Sequence, residues 1–147
     1  MPTISHQVDI AAGAPAVWDV LVQIRRLPEF SPDTIEVTDA PERISEVGQS
    51  YRQVGRILGR RYTSTWTVTG FEAGSLIRCE GSLMRGVSYC LSQHLEAVDD
   101  SHSQLRIEID YRVPGGALGE LAAKAGIEKR ASQQAEAVIE GIKRAVE

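Results

Sequence analysis

Three histidines, two cysteines, four tyrosines and two tryptophans are the side chains of this 147-residue sequence with distinctive chemistry, and their spacing decides how much of that chemistry is open to them. His6 has the right type for moving protons, since a free imidazole titrates near about pH 6.5. It stands in Ile4-Ser5-His6-Gln7-Val8-Asp9-Ile10 without a carboxylate on its own face, so a hydrogen-bonded structural role is expected. His94 falls on an outward face and His102 in a turn, and neither is placed as an acid or a base. Cys79 is the one inward nucleophile, with no base beside it and no reason for a lowered pKa. Alternation puts Cys90 on the opposite face, so no disulfide is expected. The chain has no C-x-x-C, H-E-x-x-H, G-x-S-x-G, phosphate-cradling loop or dinucleotide fingerprint. The expectation is therefore no metal, no cofactor and no assigned catalytic residue.

Charge excludes further classes. The net charge is −4, with nine acidic and seven basic residues before Gly74 and eleven and nine from there on. No basic region is concealed in an acidic total, so no nucleic-acid partner is expected. Arg56, Arg60 and Arg61 form the one compact basic cluster, which reads as a solvated hairpin. Apolar runs are too short to span a bilayer, and the first residues lack a basic segment followed by an apolar one. A cytoplasmic protein without stable membrane insertion is expected; a protein partner cannot be read from these features.

The elements that must position these side chains are legible from periodicity. A strand over Ile4–Ile10 is followed by Ala14-Pro15, where proline suits a first helical turn, and by Val17, Trp18, Leu21 and Val22 at helical spacing. A second short helical piece, Ile24 to Phe30, ends before Pro32. From Asp33 the period becomes two, giving strands over Ile35–Thr38, Tyr51–Leu58, Tyr62–Phe71, Leu76–Glu80, Val87–Val98 and Gln104–Val113, separated by Gly and Asp turn signals. After Pro114-Gly115-Gly116 one long helix runs toward Glu147, with Leu118, Leu121, Ala122, Ala125, Ala131, Ala135, Val138, Ile139, Ile142 and Val146 as its apolar stripe and a possible kink at Gly126. One domain, residues 1–147, is expected, of α+β class: a seven-stranded curved antiparallel sheet wrapped around a long C-terminal helix, with two short helices after the first strand.

The segment Ile10-Ala11-Ala12-Gly13-Ala14-Pro15-Ala16-Val17-Trp18-Asp19-Val20-Leu21 resembles the first strand and helix of the START-like, or SRPBCC, helix-grip superfamily. Leu27-Pro28-Glu29-Phe30-Ser31-Pro32 is similar to its "yP-x-W-x-P" segment, with Phe30 in the aromatic place. Tyr111-Arg112-Val113-Pro114-Gly115-Gly116-Ala117-Leu118-Gly119 looks like the hinge into the last helix of its polyketide cyclase/dehydrase and lipid-transport-like members. The resemblance covers essentially the whole chain and implies an apolar cavity used for lipids, isoprenoid quinones, polyketides or hormones, with catalysis in some branches. These motifs are packing and turn devices, so activity must be argued from side chains.

Alternation supplies those side chains. The inward set includes Tyr51 and Gln53, then Tyr62, Ser64 and Trp66, then Cys79, then Tyr89 and Leu91, then Ile107, Ile109 and Tyr111, with Leu121 and Ala125 from the helix. Aliphatic area with a few polar tips is what a small-molecule pocket needs. The leading expectation is binding or carrying of a small hydrophobic or amphipathic molecule (lipid, isoprenoid or polyketide-like) between sheet and helix. A polyketide cyclase, aromatase or dehydratase is the alternative, weakened by the lack of inward carboxylates. A regulatory interaction module with a vestigial cavity is the third reading, favoured if a large apolar patch is exposed. Leu27 to Asp33 and Gly81 to Gly86 are the segments expected to open the cavity, being bounded by stiffer elements and punctuated by Pro or Gly.

Overall fold

Period-two alternation resolves into seven strands in the computed structural model, which describes residues 3–57, 59–82, 87–112 and 117–147, with the side chains of residues 57, 117–125 and 127 excepted. The strands are β1 (Thr3–Ile10), β2 (Thr34–Thr38), β3 (Ser50–Ile57), β4 (Arg60–Glu72), β5 (Leu76–Ser82), β6 (Ser88–Asp99) and β7 (His102–Arg112). Helix α1 (Ala14–Val22) and, after one 3₁₀ turn at Ile24–Arg26, helix α2 (Leu27–Phe30) follow β1, and α3 (Ala117–Val146) closes the chain. The expected strand ends at Leu58 and Val113, the hinge Val113 to Gly116 and the loop residues 83–86 lie outside the described residues.

All seven strands form one antiparallel sheet in the order β1-β7-β6-β5-β4-β3-β2. Sequence neighbours pair from β2 to β7 because short turns favour hairpins; Gly74, at φ +84°, supplies the left-handed residue between β4 and β5. The first strand then adds to the far edge beside β7. Bulges between Val68 and Gly70 and between Ala97 and Asp99 are positions where such a sheet bends. Curved over the long helix, it is the helix-grip arrangement expected.

Core residues come from both layers. Ile10, Val17, Val22, Val68, Leu105 and Ile107 are the most deeply buried apolar side chains, joined by Ala135, Val138, Ile139 and Ile142 of α3. Thus the C-terminal half of the helical stripe is as expected, while Leu118, Leu121, Ala122 and Ala125 lie outside the described side chains. The helix is continuous through Gly126. It packs on β1, α1, α2 and β7. Its last turns are pinned to the β1–α1 junction: Lys143 Nζ donates to the Asp9 carbonyl at 3.0 Å, and the Ala11 N–H donates to Glu147 Oε2 at 2.8 Å. Gly141 admits the backbone of Phe30, since a Cβ there would stand 3.1 Å from Phe30 Cα and O. Among the described residues no helix is long and apolar enough to cross a membrane.

Candidate functional site: the concave face of the sheet

Strand register turns the inward side chains into transverse rows. Tyr51 pairs with Trp66, Trp66 with Gly81, Gly81 with Tyr89 and Tyr89 with Tyr111, so one row crosses five strands. Its rings are in contact: Trp66 and Tyr89 lie 6.4 Å apart by centroid at 37°, and Tyr89 and Tyr111 6.4 Å apart at 40°. The next row is aliphatic, Val68, Cys79, Leu91, Ile109 and Ile4. The third is mixed, Ile77, Gln93, Ile107 and His6. Phe71, the cross-strand partner of Ile77, continues that third row onto β4, and Trp18 of α1 packs against it at a tilt with ring centroids 5.7 Å apart.

The expected inward residues therefore come together. Tyr51, Ser64, Trp66, Cys79, Ile107, Ile109 and Tyr111 are buried, while Gln53, Tyr62, Tyr89 and Leu91 are half-buried. Leu121 and Ala125 fall among the side chains that are not described. The convex face holds one departure from simple alternation: Ser92 points outward yet is 6% exposed, with Arg78 Nε donating to its hydroxyl at 3.3 Å.

Most polar groups of the concave face have partners. Trp66 Nε1 donates to Ser64 Oγ at 2.9 Å, and the Ser64 hydroxyl donates to the Gln53 carbonyl at 3.4 Å. The Tyr51 hydroxyl and the Cys79 thiol are hydrogen-bonded to one another. Burial holds both protonated, raising the phenol well above its usual range and pushing the thiol up to about 11. Cys79 is thus no thiolate nucleophile at neutral pH. Cys90 pairs with Glu80 on the other face, both thiols are free, and Cys90 too is shifted upward by burial.

His6 behaves as expected of a satisfied residue, its Nε2 lying 2.9 Å from Ser132 Oγ on α3. His94 faces Glu108 at 3.7 Å on the outer surface, and His102 Nδ1 lies 2.9 Å from Asp99 Oδ1 in the β6–β7 turn. Among the described residues no cluster of His, Cys, Asp and Glu could hold a metal ion.

Several participants escaped strand alternation because they come from elsewhere. Helix α3 brings charge to the aromatic row: the Glu128 carboxylate adds to the burial that raises the Tyr111 phenol, and Arg130 partly offsets the rise at Tyr89. A hydrogen-bonded chain also ties α3 to the α2–β2 connection and to β3. Gln134 Nε2 donates to Ser31 Oγ at 2.6 Å, Thr34 Oγ1 donates to Ser31 Oγ at 2.7 Å, and Gln53 Nε2 donates to Thr34 Oγ1 at 3.1 Å. Ser31 and Thr34 are buried, 1% and 6% exposed. The expected mobile segment Leu27 to Asp33 is therefore anchored through its own Ser31.

An open hollow of about 470 Å³ lies where the aromatic row ends, lined by Tyr89, Tyr111 and Gly81 but chiefly by the outward residues Thr65, Glu80, Ser82, Ser88, Cys90, Asp110 and Arg112. It is a feature of the outer face rather than of the space beneath α3. The exposed large apolar residues described, Ile35, Val47 and Val98, stand on β2, in the β2–β3 connection and on β6.

Comparison with solved structures recovers the same architecture. The Zhui aromatase/cyclase from Streptomyces sp. R1128 superposes with a TM-score of 0.76 at 18% identity, over 99% of this chain and 96% of that one. A START superfamily protein from Mycobacterium smegmatis gives 0.73 at 14% identity, over 98% and 96%. The protein TTHA0849 from Thermus thermophilus gives 0.77 at 13% identity, over 99% and 97%. At these identities the likeness is one of fold. No curated protein matches the sequence. The family model described as polyketide cyclase / dehydrase and lipid transport matches residues 1–147, and the chain belongs to that family.

Proposed function

We propose that the concave face binds or carries a small hydrophobic or amphipathic molecule in the cytoplasm, held between the sheet and α3, with Tyr51, Gln53, Tyr62, Ser64, Trp66, Cys79, Tyr89, Leu91, Ile107, Ile109 and Tyr111 as its lining and Leu121 and Ala125 contributed by the helix. One observation carries this reading. Tyr89, Leu91 and Gln93 point inward from the interior strand β6 and yet stay half-buried, while Val87 and Leu95 on either side of them are sealed. Inward residues of an interior strand are normally the most completely covered, and here α3 packs on β1 and β7 beside them. Apolar area with a few oriented polar groups is the composition of a ligand site.

Native mass spectrometry of the protein isolated from its own host, followed by extraction of what co-purifies, tests the proposal. A stoichiometric lipid, quinone or polyketide supports it and names the class. An empty protein that gains no thermal stability from a panel of such compounds overturns it.

A second reading, an aromatase- or cyclase-type enzyme, is favoured by the neighbouring rings of Tyr89 and Tyr111, 6.4 Å apart by centroid on the concave face, whose phenols could orient a substrate carbonyl. A phenol can donate a hydrogen bond to a carbonyl. Turnover of a poly-ketone substrate analogue that is lost in Tyr89→Phe, with binding retained, would separate this reading from carriage alone.

A further inference from the structure

The polar groups on the concave face are not equally available. Ser64 is committed to Trp66, His6 to Ser132, Gln53 to Thr34 and Tyr51 to Cys79. Among the described residues, two buried polar atoms on this face have no partner, Gln93 Oε1 and the Tyr111 hydroxyl. Leaving a buried polar atom unpaired forfeits its hydration with nothing in return, so it calls for an explanation outside the packing of the protein itself. Tyr111 is only 2% exposed, which makes its lone hydroxyl costly.

Their positions are informative. Tyr111 is the cross-strand partner of Tyr89, and Gln93 is four residues along β6 from Tyr89. At about 3.4 Å per residue the two rows are about 14 Å apart along the strands. Between them runs the aliphatic row of Cys79, Leu91 and Ile109, which carries no free polar group. The site is thus apolar in its middle and polar at both ends, one end a carbonyl acceptor and the other a phenol that donates or accepts.

Resting on the ligand-binding reading above, we propose that Gln93 and Tyr111 are a pair of specificity-determining anchors that select an elongated, rigid apolar ligand with oxygen at both ends, at least one of them a hydroxyl, over a single-headed lipid chain. A ligand hydroxyl donates to Gln93 Oε1, and the oxygen at the far end meets the Tyr111 hydroxyl. A fatty acid satisfies only one anchor and leaves the other buried and unpaired. Sites built to hydrogen-bond a group discriminate strongly against an analogue lacking it for that reason.

The test uses three probes with the full-length protein, namely 2,6-dihydroxyanthraquinone, unsubstituted 9,10-anthraquinone and oleate, with affinity read by titration calorimetry and stability by thermal unfolding. The expected result is that the dihydroxy probe binds at least about tenfold tighter than the unsubstituted ring or oleate, and that Gln93→Leu and Tyr111→Phe each remove about tenfold of that affinity while leaving the unsubstituted ring unchanged. Both ligand-free variants are expected to melt at or above the wild-type temperature, because each deletes an unpaired buried polar atom; a residue with a purely structural role would melt lower. Equal affinity for the dihydroxy and unsubstituted probes, a preference for oleate, or variants that keep full affinity would overturn the pairing while leaving ligand binding intact. Failure of all three probes to bind would overturn it together with the reading beneath it.

Discussion

The indole of Trp66 occupies the space that a side chain at position 81 would fill: a Cβ on Gly81 would stand 2.5 Å from ring Cδ2 and 2.7 Å from Cε3. The two residues are also direct cross-strand partners. Absence of a side chain on β5 is what lets the indole lie across the strand and reach Tyr89 on β6. Gly81→Val must therefore displace the ring. The expected outcome is a loss of about 1–3 kcal/mol in urea unfolding and a changed near-ultraviolet circular dichroism signal, as for other overpacked cores. An unchanged aromatic signal would mean that the indole does not depend on the glycine.

Ser64→Ala tests how the same ring is held. It removes the acceptor of the Trp66 N–H, a bond of 2.9 Å between buried groups. A loss of about 1–2 kcal/mol is expected in the same unfolding experiment. Ser64→Thr, which keeps the hydroxyl, is expected to lose less.

Ser31 is the shared acceptor of Gln134 and Thr34, so Ser31→Ala leaves two donors of a buried chain without a partner. The expected cost is about 1–3 kcal/mol, concentrated in the Leu27 to Asp33 segment. Hydrogen exchange at the Ser31 and Thr34 amides, which bond to the Leu27 and Ser31 carbonyls, should quicken. If this segment gates the concave face, ligand uptake by the variant should quicken too, and an unchanged uptake rate would exclude that gate.

Cys79 makes a prediction about alkaline pH. Its folded-state pKa is raised from 9.0 to about 11 by burial, so the native state holds this proton more tightly than the unfolded chain does. The resulting stability is complete below pH 9 and is lost as the pH climbs toward 11, by about 2–3 kcal/mol. Tyr51, raised in the same direction, extends the decline upward. Urea midpoints measured between pH 8 and 11 should fall, and Cys79→Ala should flatten the lower part of that fall. A variant with the wild-type slope would assign the pH dependence to other groups.

Faces were legible in the sequence because the strand period is two: within β6, Tyr89 and Leu91 had to share one side and Cys90 take the other, and within β7, Ile107, Ile109 and Tyr111 had to share one side. The C-terminal half of the helical stripe, Ala135 to Ile142, was legible for the corresponding reason at period 3.6. Alternation says nothing about register, however. That Tyr51, Trp66, Gly81, Tyr89 and Tyr111 stand in one line depends on how far each hairpin is offset, which turns and bulges decide together. Nor could it place groups from the other layer. Ser132 reaches His6, and Gln134 reaches Ser31, 103 residues away, only because α3 lies across β1 and α2. Which polar atoms are committed and which are left unpaired, as Gln93 Oε1 and the Tyr111 hydroxyl are, is a property of three-dimensional neighbours. Local periodicity determined which way each side chain faces, and only the tertiary structure decided what it meets there, because hydrogen bonds are made in space between elements that the chain order keeps far apart.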